Sequence, residues 1–440
     1  MNPPLRFSKL GRQLAAGSGI GELMEDLGRA LAEGGDVKML GGGQPAHIPE
    51  IDALWRRRME EILASPACLE RVLGNYDPPR GNQRFIEALV GLLRREFGWP
   101  IGPEHVAITV GGQTAFFILF NLLAGEMPDG SRRQILLPLM PEYIGYANQG
   151  SCEGLFRGMR PRIDRTGEHS FKYGIDFDAL EIDESIAAIC VSRPTNPSGN
   201  VLTDEELSRL STLAKVHGIP LVIDNAYGAP FPDVIFTGAT PLWDEHVILT
   251  LSLSKLGLPG TRTGIVIGPP EITAAIAETG SVIGLANPNL GQEIVRPLLE
   301  SGEILSLARE TVRPYYQEKS RAAQGWVREA FADSFDYAVH ASEGALFLWL
   351  WFPGLPIGSR ELYERLKRRG VLVVPGDYFF YGLEEPEGLP HQAGGRADAS
   401  PGGPWRHRQE CLRMTFTMDP ASVRAGIAAI ADEVRSLSRV

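Results

Sequence analysis

Short apolar runs alternate with longer amphipathic stretches between about residue 50 and residue 290 of this 440-residue chain. Several of the runs are followed at once by Gly, Pro, Asn or Ser, which punctuate strands and loops. This alternation predicts an α/β domain with a mostly parallel sheet flanked by helices. The strands predicted from it are Val106–Val110, Gln134–Leu139, Ala187–Val191, Pro220–Ile223, Val247–Leu251 and Gly264–Ile267.

The chain is longer than one hydrophobic core usually serves, so we expect a second, smaller domain. Residues 303–331 are predicted to form one long helix, with a kink or break at Pro314. Mixed strand-like and helix-like segments follow it and indicate a small α+β domain. We therefore predict a large domain over residues 51–300 and a small domain formed by 1–50 and 301–440. The stretch from Glu384 to Glu410 is dense in Gly and Pro and predicts a long surface loop.

The net charge and the cysteine pattern exclude several classes of protein. A formal net charge of -11 argues against nucleic acid or an anionic membrane as the main partner. The four cysteines are scattered, with no C-x-x-C pair, which supports neither a zinc site nor a disulfide framework. The N-terminal residues lack the apolar core of a signal peptide, and the apolar run from Gly344 to Leu355 is too short to span a bilayer. These features predict a soluble, cytoplasmic protein.

Lys255 lies in an apolar, glycine-rich turn directly after a predicted strand. A lysine pressed among apolar residues near an arginine is a candidate for a depressed pKa and hence for a nucleophilic amine. Taken alone, the segment is explained more often by a lysine that caps a turn. The same segment carries Ser252, Ser254 and Arg262, each of which could bind a phosphate group.

Other predicted strands end in loops that carry complementary groups. Gly112 and Gln113 open a helix whose N–H groups would face an anion. Tyr143 could offer its face to a planar ring, and the Asn-Pro-Ser-Gly turn could hold the Asn196 amide rigidly. Each feature alone also fits a purely structural role. Ligands of open α/β sheets collect at the strand ends, however, and these loops follow one another along that edge.

Asp224 ends a strongly apolar predicted strand, and Tyr227 follows three residues later. An unpaired carboxylate is costly to bury there, so Asp224 needs a cationic partner or a bound group. Pyridoxal 5′-phosphate needs an amine, a carboxylate beside its pyridine nitrogen, donors for its ring oxygen, an aromatic face and an anion cradle. The residues that fill these roles are Lys255, Asp224, Asn196 with Tyr227, Tyr143, and the set Gly112, Gln113, Ser252, Ser254 and Arg262.

Over nearly its whole length the chain resembles the fold-type I, class I/II pyridoxal-phosphate aminotransferases. The Asn196 turn, the pair Asp224 and Tyr227, and the Ser252–Lys255 segment followed by Arg262 carry the resemblance. It implies that Lys255 is the general base and that Asp224 keeps the pyridine ring cationic. The expected partners are then small amino acids and 2-oxo acids.

The resemblance continues in the Cys411-Leu412-Arg413-Met414 segment, where members of the family place the arginine that binds the substrate carboxylate. It implies that Arg413, Gly42 and Asn196 bind substrate. It also implies a homodimer in which Tyr76 reaches the cofactor phosphate of the partner subunit.

Within the family, the segments 40–50, 141–146 and 224–228 resemble the members that exchange amino groups between valine and pyruvate. We therefore expect L-valine and pyruvate to give 2-oxoisovalerate and L-alanine. Two alternatives on the same fold are a transaminase for aromatic or aminoadipate-like substrates and a β-eliminating lyase. A regulator that senses an amino acid is a third alternative, but only about 40 residues precede Gly41 and they lack net basic character.

Overall fold

The computed structural model describes residues 6–15, 17–33, 37–332, 334–383 and 405–438. The helices are α1 Lys9–Leu14, α2 Gly19–Glu33, α3 Pro49–Ala64, α4 Pro66–Gly74, α5 Gln83–Phe97, α6 Gly111–Leu123, α7 Asp204–Val216, α8 Pro270–Gly284, α9 Leu290–Ser301, α10 Glu303–Ser306, α11 Arg313–Phe331, α12 Ser359–Arg368 and α13 Pro420–Leu437. Residues 384–404 of the predicted long loop lie outside the described residues, and Arg406–Gln409 forms a 3₁₀ turn.

Strands form the second set of elements. They are β1 Lys38–Met39, β2 Val106–Val110, β3 Gly125–Glu126, β4 Arg132–Leu137, β5 Phe156–Gly158, β6 Arg162–Gly167, β7 Ser170–Gly174, β8 Ile186–Ser192, β9 Leu221–Asp224, β10 Val247–Ser252, β11 Thr263–Ile267, β12 Ala338–His340, β13 Phe347–Trp351, β14 Val371–Leu372, β15 Val374–Pro375 and β16 Cys411–Thr415. Every strand predicted between residues 100 and 270 is present, with ends that differ by at most two residues.

The main sheet has the strand order β2-β11-β10-β9-β8-β4-β3, with β5 also paired to β4. The pairs β10–β9, β9–β8, β8–β4 and β4–β5 are parallel, whereas β11 runs antiparallel to both of its neighbours. Every residue of β8, β9, β10 and β11 is buried, because helices cover both faces of the sheet. The mostly parallel sheet flanked by helices is confirmed.

A second sheet has the order β15-β16-β13-β12-β7-β6. Four of its strands come from the predicted small-domain range, but β6 and β7 come from within residues 51–300. The hairpin joins this sheet because β7 pairs in parallel with β12, with Val339 opposite Ser170. We propose that residues 51–300 form the large domain and that the β6–β7 hairpin extends from it into the sheet of the small domain.

The long helix predicted over residues 303–331 is present as one continuous helical run. It consists of α10, a π-helical segment at Leu307–Val312 and α11, and the irregular segment ends just before Pro314, where a kink or break was predicted. Proline lacks the N–H that would continue the α-helical ladder, and the Arg313 N–H before it already donates to the Ala308 carbonyl, five residues earlier, as in a π-helix. Residues 371–375 contain two short strands, β14, which pairs with β1, and β15, which pairs with β16. In the described part of the chain, no helix has both the length and the apolar character needed to cross a membrane.

Candidate active site

The loops with candidate chemistry meet at the carboxyl-terminal edge of the main sheet. Parallel pairing places Ser192 of β8 opposite Asp224 of β9, and Asp224 opposite Thr250 of β10. The Lys255 turn follows β10 directly, and α6 begins where β2 ends. The sheet register therefore brings together groups that lie far apart in the sequence.

Lys255 belongs to a 3₁₀ turn at Leu253–Leu256, which the Trp55 indole N–H anchors by donating to the Leu256 carbonyl at 2.9 Å. The Lys255 Nζ donates to the Gly43 carbonyl at 2.6 Å and lies 5.1 Å from the centre of the Tyr227 ring. Burial lowers the pKa of Lys255 to about 8, and the positive charges of Arg413 and Arg262 act in the same direction. A sizeable fraction of the amine is therefore neutral near physiological pH.

Asp224 is buried at the end of β9 and receives its hydrogen bonds from uncharged groups. The Tyr146 hydroxyl donates to one carboxylate oxygen, and the Ala226 N–H donates to the other at 2.9 Å. The Tyr146 ring is fixed by Phe116 and Phe120, with centroids 4.7 and 5.1 Å away. Burial raises the pKa of Asp224, whereas the Tyr146 hydrogen bond and the nearby Lys255 oppose that rise. These two donors hold the carboxylate in place, and none of the described residues bonds a cation directly to it.

An anion cradle lies between α6 and the segment that follows Lys255. Val110 precedes α6, and its apolar side chain cannot accept a hydrogen bond from the first N–H groups of the helix. These groups include the N–H groups of Gly112 and Gln113. Gly111 has φ 78°, and a Cβ there would collide with the Arg262 guanidinium. Free N–H groups at a helix start beside a guanidinium suit a phosphate.

Ser252 ends β10, and Ser254 directly precedes Lys255. Ser252 and Ser254 are both buried, and the Ser252 hydroxyl oxygen accepts the Ser254 N–H at 3.1 Å.

Tyr143 lies in the loop after β4, beside the same cluster. A Cβ on Gly145 would collide with the Tyr143 ring, so the glycine permits the ring to lie against the main chain. The Gln113 side-chain amide donates to the Gly145 carbonyl at 3.0 Å and links this loop to the start of α6. The Tyr381 hydroxyl donates to the Tyr143 carbonyl at 2.9 Å.

Arg413 of β16 enters the cluster from the second sheet and is buried. Its guanidinium donates to the Asn196 side-chain oxygen at 2.8 Å and to the Gly41 carbonyl at 2.5 Å. The guanidinium carbon lies 4.3 Å from the centre of the Phe347 ring and 5.2 Å from that of Phe379. Within the described residues its Nε has no hydrogen-bond partner, and burial lowers the pKa of the group to about 10.

The remaining predicted residues divide into two groups. The Asn196 side chain is hydrogen bonded to the Tyr227 hydroxyl, and burial raises the pKa of that hydroxyl. Gly42 lies between Gly41 and Gly43, whose carbonyls accept from Arg413 and Lys255, and a Cβ there would meet no described heavy atom within 4 Å. Tyr76 stands apart from the cluster and is 81% exposed.

Several groups in this cluster were not predicted from the sequence. Tyr146 and Glu142 were read only as part of the Tyr143 segment, and Phe347 and Phe379 were not singled out. Tyr146 had one usable signal, because a buried tyrosine requires a partner for its hydroxyl. The carbonyls of Gly41 and Gly43 carry no sequence signal, since any residue has one.

Comparison with known proteins identifies the family of this chain. The family model for aminotransferase class I and II matches residues 51–430. The valine–pyruvate aminotransferase of Escherichia coli is 44% identical over 430 residues, which cover 98% of each chain.

This chain belongs to the class I and II aminotransferases.

Solved structures agree with this assignment. A valine–pyruvate aminotransferase from Salmonella typhimurium superposes with a TM-score of 0.84 at 43% identity, covering 96% of this chain and 99% of that one. A protein from Psychrobacter arcticum superposes with a TM-score of 0.91 at 40% identity, covering 99% of this chain and 100% of that one. The predictions of a fold-type I enzyme, of aminotransferase activity and of a pyridoxal 5′-phosphate cofactor are confirmed.

The residues present fit this cofactor on structural grounds. The buried Asp224 carboxylate lacks a directly bonded cation, which a protonated pyridine nitrogen would provide. The space beside Gly111 that a Cβ would fill is bordered by the Arg262 guanidinium and by free helix N–H groups. Lys255 supplies a partly neutral amine close to both features.

The lowered pKa of Lys255 gives a pH-dependent prediction for the apoprotein. A lysine whose pKa falls to about 8 from 10.5 gains neutral amine as the pH rises through 8. Labelling of Lys255 by trinitrobenzenesulfonate, followed by peptide mass spectrometry, should therefore rise with pH and reach half of its maximum near pH 8. Labelling that still climbs steeply toward pH 10.5 would contradict the lowered pKa. The Lys255→Ala protein supplies the blank.

Proposed function

We propose that this enzyme transfers an amino group between L-valine and pyruvate, producing 2-oxoisovalerate and L-alanine. The 44% identity to the Escherichia coli enzyme over nearly the full length supports these substrates. The observation that carries the proposal is Arg413, a buried guanidinium with a free Nε beside two phenylalanine rings and close to Lys255. It offers a substrate carboxylate a cationic site within apolar surroundings.

Apolar side chains around the glycine segment that contacts Arg413 support an aliphatic substrate. A Cβ on Gly41 would lie 3.1 Å from Leu23 of α2, so this helix closes on the glycine segment that contacts Arg413. Ile144 and Tyr378 approach Gly19 at the start of the same helix. The helix is held on the small domain by Asp26, which accepts from Lys367 at 2.7 Å.

The proposed roles follow from where the side chains lie. When bound, the cofactor supplies an electron-withdrawing ring that stabilises negative charge at the substrate Cα. The neutral Lys255 Nζ accepts the proton that leaves Cα and later returns a proton. Asp224 would hold the protonated pyridine nitrogen, and Asn196 and Tyr227 would supply donors for the ring oxygen.

The other residues bind and orient. Tyr143 covers one ring face and Arg413 holds the substrate carboxylate. Gly42 leaves space for the substrate in the segment between Gly41 and Gly43. The phosphate contacts are assigned to Gly112, Gln113, Ser252, Ser254 and Arg262.

Replacing Arg413 with lysine should mainly impair substrate binding. Lysine keeps the charge but loses the planar fork that can hold Asn196, the Gly41 carbonyl and a carboxylate together. We expect the KM for valine to rise by about 10- to 100-fold, the scale of a lost charge-assisted hydrogen bond, with a smaller fall in kcat. Steady-state kinetics at saturating pyruvate provide the measurement. An unchanged KM would remove Arg413 from the substrate site.

We further propose a cytoplasmic homodimer whose subunits exchange Tyr76 side chains. Exposed apolar residues support a partner surface here: Leu73 is 70% exposed and Leu285 is 59% exposed. The Asn287 amide donates to the Pro79 carbonyl at 2.9 Å and ties the segments of Tyr76 and Leu285 together. Analytical ultracentrifugation should show a dimer. The Tyr76→Phe protein should remain a dimer but bind pyridoxal 5′-phosphate more weakly. A monomer with full cofactor affinity would contradict this proposal.

Product analysis tests the reaction itself. Purified enzyme with L-valine and pyruvate should form 2-oxoisovalerate and L-alanine in equal amounts. Release of ammonia and no alanine would indicate an eliminating lyase. Amino-group exchange only with aromatic or aminoadipate-like donors would agree with an aminotransferase but contradict valine and pyruvate as its substrates.

A further inference from the structure

Glu142 is a buried acidic residue that the proposed reaction does not use. It lies between Pro141 and Tyr143 in the loop after β4 and is 2% exposed. Burial raises the pKa of Glu142 to about 8, although hydrogen bonds from Ser192 oppose that rise. The carboxyl group is therefore largely protonated at neutral pH, which makes its burial less costly.

The Glu142 carboxyl group joins two strand ends. One oxygen accepts the Ser192 N–H at 2.8 Å, and the other lies 2.6 Å from the Ser192 hydroxyl. The second oxygen also accepts the Tyr143 N–H at 3.2 Å. These bonds connect the residue proposed to cover the ring with the last residue of β8.

Ser192 is in turn linked to the segments that carry Asp224 and Asn196. It pairs with Asp224 across the sheet, and the adjacent Arg193 N–H donates to the Asp224 carbonyl at 2.8 Å. The Thr195 hydroxyl donates to the Ser192 carbonyl at 3.1 Å, directly before Asn196. Through its main-chain N–H, Glu142 also donates to the Phe379 carbonyl at 3.0 Å, and the Phe379 ring packs on Arg413.

We propose that Glu142 is a positioning residue, whose carboxyl group fixes the Tyr143 ring relative to Asp224 and Asn196 and thereby determines how tightly the pyridoxal ring is bound. The proposal rests on the roles assigned above to these three residues. It assigns Glu142 no contact with substrate or cofactor. It acts through the segments that it connects.

Equilibrium binding of pyridoxal 5′-phosphate to the apoprotein at pH 7, followed by absorbance and by circular dichroism of the bound band, tests this role. Glu142→Ala should weaken binding about tenfold or more, the scale of an unpaired buried N–H group. Glu142→Gln should weaken binding less than alanine does. Its amide oxygen can accept the Ser192 N–H and its NH2 group can donate to the Ser192 hydroxyl, but it cannot also accept the Tyr143 N–H.

Glu410→Ala is the matched control for loss of a buried glutamate. Glu410 is 8% exposed and accepts from the Trp351 indole at 3.0 Å and from the Gly354 N–H at 3.1 Å. Its replacement should lower the melting temperature of the apoprotein and leave the dissociation constant of the cofactor unchanged. A purely structural role for Glu142 would give this same pattern.

Ser192→Ala supplies a second variant, which removes one Glu142 contact and keeps the main-chain bond. Ser192→Ala should weaken cofactor binding, but by less than Glu142→Ala does. It takes the place of Glu142→Ala as the test if that protein does not fold. Unchanged affinity in the folded Glu142→Ala protein, or in Ser192→Ala when the first does not fold, would overturn the proposal. Glutamine as harmful as alanine would overturn it too. Failure of the unmodified apoprotein to bind the cofactor would instead contradict the assignment of the site.

Discussion

Replacing Lys255 with alanine is expected to abolish transamination. The Lys255 Nζ is the amine placed between the Gly43 carbonyl and the Tyr227 ring, with a pKa lowered to about 8 by burial. Loss of a general base alone typically lowers a rate by about 10²- to 10⁴-fold, and loss of the covalent attachment adds to this. The measurement is the formation of alanine from valine and pyruvate by the protein loaded with cofactor.

Lys215→Ala serves as the control for this variant. The Lys215 side chain is 69% exposed and pairs with Asp244 at 3.5 Å on the surface. Its replacement should leave turnover unchanged, because an exposed ion pair contributes little. Near-normal transamination by the Lys255→Ala protein would contradict the assignment of Lys255.

The second large effect is expected for Asp224→Asn. Asparagine has nearly the same shape, and its oxygen can still accept the Ala226 N–H while its NH2 group faces the Tyr146 hydroxyl, but it lacks the negative charge. The pyridine nitrogen would then lose the group that keeps it protonated. We expect kcat to fall by about 10²- to 10³-fold, the scale seen when one preorganised electrostatic group is removed. Steady-state kinetics at saturating cofactor give the result.

Asp224→Glu separates charge from shape. Glutamate keeps the charge but is one methylene too long for the space that Tyr146 and its phenylalanine neighbours define. It should lower activity less than asparagine does. If asparagine retained more activity than glutamate, the geometry of Asp224 would matter more than its charge and the assigned role would be wrong.

The main sheet could be predicted because its strands are buried on both faces. Such strands are nearly continuous apolar runs, and β8 through β11 are buried along their whole length. The β6–β7 hairpin could not be placed in this way. Its partner, β12, begins at Ala338, more than 160 residues later, and the pairing depends on the tertiary fold.

The candidate site also contains residues that local sequence predicts and residues that only the tertiary fold brings together. Lys255 and Asp224 were predicted because a charged group at the end of an apolar strand requires a chemical explanation. Tyr146 was not, because the Asp224 carboxylate that accepts its hydroxyl is 78 residues away in sequence. Arg413 came from family resemblance, since an arginine in a strand is by itself unremarkable in sequence. Only the structure shows that it is buried against Asn196 and Phe347.

The visible absorption spectrum of the purified protein, recorded before and after addition of an amino acid without an acceptor, tests the central claim most directly. We predict a yellow, cofactor-bearing protein whose colour is bleached by L-valine or L-alanine but not by L-aspartate. A yellow band that neither valine nor alanine changes would contradict the proposed substrates. A colourless protein that takes up no added pyridoxal 5′-phosphate would contradict the account of the site as a whole.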